Sequence, residues 1–261
     1  MAKTALITGA SGGIGLELSR IFAQDGYDVV LVARSEDKLI KIKNAIEKRY
    51  GVRAYVFSCD LAEQNAAQRV LDFTDSHSLD IDVLVNNAGF GDCGSFAGSD
   101  WQKQYDMVRL NIIALMQLTY CYLPRMKDRR DGRILNIASV ASLCPGPNMS
   151  VYYASKAFVR NFSEAVAEEM REYGVTVTVL CPGPVDTGFE KAANVGDAPA
   201  FSLIPLAEPR DVAICGYRAL MKGRTLAYYG IIAKATSVAV RFIPCCVTRK
   251  IAGKLNKKRE N

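Results

Sequence analysis

The stretch Lys3-Thr4-Ala5-Leu6-Ile7-Thr8-Gly9-Ala10-Ser11-Gly12-Gly13-Ile14-Gly15 decides the fold. Lys3 to Thr8 is a short apolar run that reads as a strand, the glycines come immediately after it, and Leu16, Leu18, Ile21 and Phe22 then recur with helical spacing. Glycines let a backbone turn tightly and come close to a pyrophosphate, whose charge is met by the unsatisfied amides of the helix N-terminus. Such glycines also suit an ordinary turn, so the neighbouring segments must decide. Asp28 to Ala33 is a second β-branched run, which completes a βαβ unit.

The carboxyl end of that second strand is where the adenosine ribose of a dinucleotide belongs. An acidic residue there would accept from the 2′-hydroxyl of NAD(H). The chain instead has Arg34 and Ser35, with Lys38 one turn on, and a guanidinium can meet a 2′-phosphate. NADP(H) is therefore expected over NAD(H). A merely solvated Arg34 at a helix start would leave the missing carboxylate unexplained.

Three further units succeed it along the chain: 54 to 58 with Asp60 at its end, 83 to 85 running into Asn86-Asn87-Ala88-Gly89, and 132 to 139 ending at Ser139. Val175 to Leu180 is a β-branched strand leading into Pro182, Gly183, Val185 and Thr187, and Thr225 to Tyr229 is a last one. Alternating βα units imply an α/β fold, a doubly wound parallel sheet with helices on both faces. Residues 1–261 read as a single domain of this kind, with a basic helical tail at about 234–261. Helices are expected at 100 to 129, 150 to 173 and 210 to 221. Ligands of such sheets bind outside the carboxyl ends of the strands, so Gly9, Asp60, Asn87, Ser139 and Gly183 should line one crevice. Residues 189 to 207 have no clear period and suit a mobile lid over it.

Within that crevice the sequence offers a reactive trio. If 150 to 173 is helical, Tyr152 and Lys156 share one face, one turn apart. A phenol has a pKa of about 10, and an ammonium about 4 Å away at an effective dielectric of about 20 favours phenolate by roughly 4 kcal/mol before its own desolvation is subtracted. A tyrosine tuned downward in this way can exchange a proton with a carbonyl or alcohol oxygen, and Ser139 would hold that oxygen. No side chain delivers a hydride, so a redox cofactor is required. Asn111, amid apolar residues of the helix 100 to 129, needs hydrogen-bond partners, and it could equally be a bridge between backbone groups.

Composition narrows the classes. No apolar run approaches 18 residues, and only Met1-Ala2-Lys3 precedes the first strand, so a cytoplasmic protein is expected. Eight cysteines without a C-x-x-C and a lone His77 offer no zinc site, and the cysteines suit a reducing compartment. Of the net charge of +6, the segment from Lys234 to Asn261 carries eight basic residues and one acidic, leaving the body nearly neutral. That distribution is not the basic face with stacking aromatics that nucleic acid demands.

Taken together, Thr8 to Gly15, Asn86 to Gly89, Asn111, Ser139 thirteen residues before Tyr152-x-x-x-Lys156, and Pro182-Gly183 resemble the classical short-chain dehydrogenase/reductase family up to about Tyr229. The resemblance implies a Rossmann-type fold. Tyr152 would be the general acid/base, Lys156 would lower its pKa and hold the nicotinamide ribose, Ser139 would position the substrate oxygen, and Asn111 would support a proton-relay water. It also implies that Gly9, Ser11, Gly13, Ile14 and Gly15 hold the pyrophosphate, that Asp60 and Leu61 flank adenine, that Asn87, Ala88 and Gly89 back the adenosine ribose, and that Pro182, Gly183, Val185 and Thr187 meet the carboxamide. Homodimers or homotetramers are implied as well.

Phe90, Leu143, Met149, Phe189, Phe201 and Leu203 are apolar candidates for the substrate pocket, which favours a lipophilic, steroid-like ketone or secondary alcohol. A 3-oxoacyl-thioester reductase is the alternative. A cofactor-binding sensor would have no need of Tyr152 and Lys156. In the tail, Val247, Ile251 and Leu255 form an apolar stripe, with Lys250, Lys254, Lys257 and Lys258 on other faces. That helix either packs on the body or a subunit partner, or lies on an anionic membrane surface.

Overall fold

The computed structural model describes residues 2–202 and 204–257. Their strands form one parallel sheet: β1 (Thr4–Thr8), β2 (Asp28–Ala33), β3 (Ala54–Ser58), β4 (Val83–Asn86), β5 (Gly132–Ile137), β6 (Val175–Cys181) and β7 (Leu226–Tyr228). The strand order is β3-β2-β1-β4-β5-β6-β7, so the order in which strands are added reverses between β1 and β4, and a crevice opens at that point. Every residue of β1 and β2 is buried, as a strand covered on both faces must be.

The pleat then separates two cores. Ala5, Ile7, Val29 and Leu31 point to one, where α1 (Gly13–Gln24) and α2 (Glu36–Tyr50) contribute Leu18, Phe22 and Leu39. Leu6, Val30, Val32 and Leu84 point to the other, which is filled from α3 (Ala66–Ser76), α5 (Leu115–Arg129) and α6 (Ser150–Glu169). The stretch read as one helix from 100 to 129 has three parts: α4 (Trp101–Val108), a π-helical segment Arg109–Ala114, and α5. Asn111 sits in the widened turn, the kind of irregularity that often marks a functional site.

The segment 189 to 207, expected as a lid without a clear period, contains short helical elements among its described residues. It forms the single turns α7 (Phe189–Ala192) and α8 (Pro199–Ser202), tied down by Cys93 N–H to the Ala193 carbonyl at 2.9 Å and by a bridge between Val185 and Ala207. After α9 (Pro209–Met221), the tail forms α10 (Ile231–Ala239) and α11 (Cys245–Asn256). Helix α11 does pack on the body, but not through the stripe expected. Thr248, Ala252 and Asn256 are its buried residues, whereas Val247 and Ile251 face outward and Leu255 is half-buried. The small Ala252 and Gly253 allow close approach, Gly253 lying against Pro147. Lys258 lies outside the described residues.

Candidate active site

The glycine turn is built to receive an anion. Helix α1 starts with Gly12 as its cap; no side chain accepts from its first amides and no acidic residue occupies its first turn. Its positive end is thus left for a ligand. Gly9 and Gly13 have φ of +68° and +54°, and a side chain on Gly13 would also meet Thr187. A side chain on Gly15 would run into the Gly9 carbonyl and the Asn87 amide, so helix, turn and β4 loop can close up only with glycine there. Nothing lies within 4 Å of the position a side chain would take on Gly12 or Gly183. The carboxyl ends of β1 and β4 are knitted together by Thr8, whose hydroxyl donates to the Val85 carbonyl at 3.1 Å and accepts from the Asn87 and Ala88 amides at 2.9 and 3.0 Å. Asn87 Nδ2 donates back to the Thr8 carbonyl at 2.9 Å. The residues present therefore fit a dinucleotide: a bare helix N-terminus, glycines at close approaches, and a loop fixed beside them.

At the end of β2, the Arg34 side chain is 77% exposed and its guanidinium lies 3.8 Å from Asp60 Oδ2. Asp60 also accepts from the Ala62 amide, and Leu61 is buried. Ser35 caps α2 by position without a side-chain hydrogen bond, and Lys38 is exposed on its first turn. Arg34 is thus loosely paired and free to turn toward a phosphate.

Tyr152 and Lys156 share one face of α6, and the Lys156 Nζ lies 5.9 Å from the centre of the Tyr152 ring. Lys156 is almost fully buried and donates to the Ile137 carbonyl at 2.8 Å. Burial brings its pKa down to about 8. Burial raises the Tyr152 phenol, with a hydrogen bond to Ser139 pulling the other way. The downward shift expected of Tyr152 is therefore not found: the ammonium is directed at a backbone carbonyl, and desolvation of the phenol dominates. Ser139, at the end of β5, is buried; its Oγ accepts from the Ala141 amide at 3.1 Å and donates to the Pro182 carbonyl at 3.5 Å. Ser142 donates to the Ser139 carbonyl at 2.6 Å.

Asn111 bridges. Its Oδ1 accepts from the Phe90 amide at 3.1 Å, and its Nδ2 donates to the Phe90 carbonyl at 2.9 Å and to Ser155 Oγ at 3.0 Å. Both amide hydrogens are committed to protein partners, so the side chain holds the loop after β4 against α6. A side chain on Gly89 would meet Asn111 Oδ1 and approach Lys156 Nζ, which places that loop directly against the trio.

Of the pocket candidates, Met149, Phe189 and Phe201 gather in one apolar cluster with Cys93, Val195 and Tyr152. The Phe189 ring packs on Tyr152 with centroids 5.2 Å apart. Phe90 and Leu143 are half-buried outside this cluster, Phe90 being fixed through its backbone, and Leu203 lies outside the described residues. Two residues of the wall carried no obvious signal. A side chain on Gly91 would collide with the Phe189 and Tyr152 rings. Asn256 of α11 accepts from the Tyr153 hydroxyl at 3.2 Å, donates to the Pro147 carbonyl at 3.1 Å, and takes the Cys93 thiol on its own carbonyl. The i, i+4, i+8 spacing of Thr248, Ala252 and Asn256 is visible in the sequence, but nothing in it favours that face over the more apolar one beside it.

Comparison with known proteins shows the family. Residues 3–197 match the short chain dehydrogenase family. The chain is 35% identical over 224 residues to the ketoacyl reductase HetN of Nostoc sp., covering 85% of this chain and 77% of that protein. It is 35% identical over 197 residues to mouse 17-beta-hydroxysteroid dehydrogenase type 3 (74% of this chain, 64% of that protein). It is 37% identical over 178 residues to a very-long-chain 3-oxoacyl-CoA reductase of Laccaria bicolor, spanning 67% of this chain but only about half (53%) of the fungal protein. Among solved structures, a short-chain dehydrogenase from Sphingobium yanoikuyae in complex with NADPH superposes with a TM-score of 0.83 at 27% identity, covering 92% of this chain and 93% of the other. On its sequence, its seven-stranded Rossmann sheet and its Ser139, Tyr152 and Lys156, the chain belongs to the short-chain dehydrogenase family of oxidoreductases acting on CH–OH donors.

Proposed function

We propose that the protein interconverts a lipophilic ketone and its secondary alcohol with NADP(H). The observation that carries the substrate class is the apolar cluster of Met149, Phe189, Phe201 and Val195 packed about Tyr152. The exposed, loosely paired Arg34 at the end of β2 supports NADP(H) over NAD(H). A bound nicotinamide supplies the hydride. Tyr152, kept neutral by burial, gives its proton to the carbonyl oxygen as that oxygen gains charge, and takes one back in the reverse direction. Ser139 donates to the same oxygen. Lys156, fixed on the Ile137 carbonyl, brings a positive charge beside the phenol and stabilises the phenolate left by proton donation. Exposed Phe96, Trp101, Tyr105 and Tyr120 on and before α4 and α5 suit a subunit interface, which supports a homodimer or homotetramer.

A 3-oxoacyl-thioester reductase is the second reading, favoured by the likeness to HetN over most of both chains. Consumption of NADPH over a panel of steroid, aromatic and acyl-thioester ketones separates the two. Turnover of free lipophilic ketones at a higher kcat/KM than thioesters is expected, and the opposite ranking would replace the first reading by the second.

A further inference from the structure

The charge of the chain is divided sharply along its length. The first 211 residues carry 22 basic and 26 acidic side chains, whereas from Val212 to Arg259 there are eleven basic residues and no acidic one. The described residues of this segment, 212 to 257, fold into most of α9, β7, α10 and α11. Between α9 and α10 lies an open cavity lined by Arg218, Lys222, Arg224 and Lys234, with Asp211 as the one acid in its wall. Burial raises the Cys215 thiol in the same wall, while Lys234, Arg218 and Arg224 all pull it the other way, so three of these cations converge there.

Beside this basic cavity the surface turns apolar. Ile231 is 85% exposed, Phe242 82% and Ile251 49%, with Ile232, Val238 and Val247 also exposed along α10, α11 and their connection. So many large apolar side chains in water on neighbouring stretches of chain mark an interaction surface. Basic residues stand among them: Lys234, Arg241, Arg249, Lys250 and Lys254 are all exposed. No helix among the described residues is long and apolar enough to cross a membrane.

We propose that the α10–α11 surface docks on an anionic lipid bilayer, its apolar side chains entering the headgroup boundary and its basic cavity taking a lipid phosphate. Such a combination of apolar and cationic side chains is what binds a helix in the interfacial plane. Charge complementarity chooses this occupant over a second copy of the chain. A symmetric pairing through α10 and α11 would set the cations of these helices against one another, since neither helix carries a carboxylate. The inner edge of α11, meanwhile, is already satisfied by the body.

The test is flotation of the full chain with vesicles of phosphatidylcholine, with and without phosphatidylserine, at low and high salt. Truncating the tail is a poor probe because it would remove Asn256 from beneath Tyr153, so point variants on the outer edge are used: Phe242→Glu with Ile251→Glu, and separately Lys234→Glu. Circular dichroism and NADPH binding confirm that each remains folded. The expected result is flotation with anionic vesicles alone, weakened by salt, with each variant lowering partitioning by ~10-fold or more. Absence of flotation with anionic vesicles at low salt would overturn the proposal, as would variants that float like the unmodified chain. Loss of an oligomer in the Phe242→Glu, Ile251→Glu chain, without any vesicle binding, would assign the surface to a second copy.

Discussion

Tyr152 and Lys156 are pushed toward neutrality by the same cause. Burial raises the phenol and brings the ammonium down to about 8. The phenol thus keeps its proton near pH 7, and the charge of Lys156 is what would stabilise the phenolate once that proton is given up. Spacing on a helix placed the two residues on one face, but it could not show that Lys156 would be directed at the Ile137 carbonyl. At the other end of the crevice, Arg34 carries the proposed preference for NADP(H). A charge-assisted hydrogen bond is worth about 1.5–3 kcal/mol. Arg34→Ala is therefore expected to raise KM for NADPH by roughly 10- to 100-fold at that energy, while KM for NADH barely changes. Steady-state kinetics with both cofactors check this; equal effects would remove Arg34 from the 2′-phosphate site.

Helix α11 shows how an element can be legible and its packing not. Its amphipathic period was readable, yet the face that packs is Thr248, Ala252 and Asn256, because close approach to Pro147 calls for small side chains. Asn256 then joins Tyr153, Pro147 and Cys93, three segments of the wall beside Tyr152. Asn256→Ala would strand the buried Tyr153 hydroxyl and the Pro147 carbonyl. We expect a loss of about 1–3 kcal/mol of stability in denaturant unfolding, together with a raised KM for ketone and an unchanged KM for NADPH. A KM for ketone equal to that of the unmodified protein would show that the wall does not depend on α11. The π turn at Arg109–Ala114 was hidden for a related reason: Asn111 and its apolar neighbours fit an α-helix equally well. Only the Phe90 backbone, brought alongside by the sheet, shows what the asparagine holds.

At the scale of the molecule, the strands were readable almost to the residue, since a sheet covered on both faces needs continuous β-branched runs that no other structure favours. Their parallel order is a consequence of the alternation of strands and helices, and it puts the glycine turn, Asn87, Ser139 and Gly183 at one edge. The substrate wall was much less legible. Phe189 and Phe201 reach Tyr152 from short turns that have no period, and the segment that braces them lies some fifty residues further along the chain. The assembled edge makes one claim: hydride from NADPH and a proton from Tyr152 reduce a carbonyl held at Ser139. The most direct test is kcat/KM for ketone reduction against pH in the unmodified protein and in Tyr152→Phe, with NADPH affinity measured alongside. The account predicts a level profile through pH 7 that falls above about 8, as Lys156 loses its proton. It predicts a drop of about 10²–10⁴-fold in Tyr152→Phe with NADPH affinity retained. A Tyr152→Phe enzyme that reduces ketones as fast as the unmodified protein would contradict it.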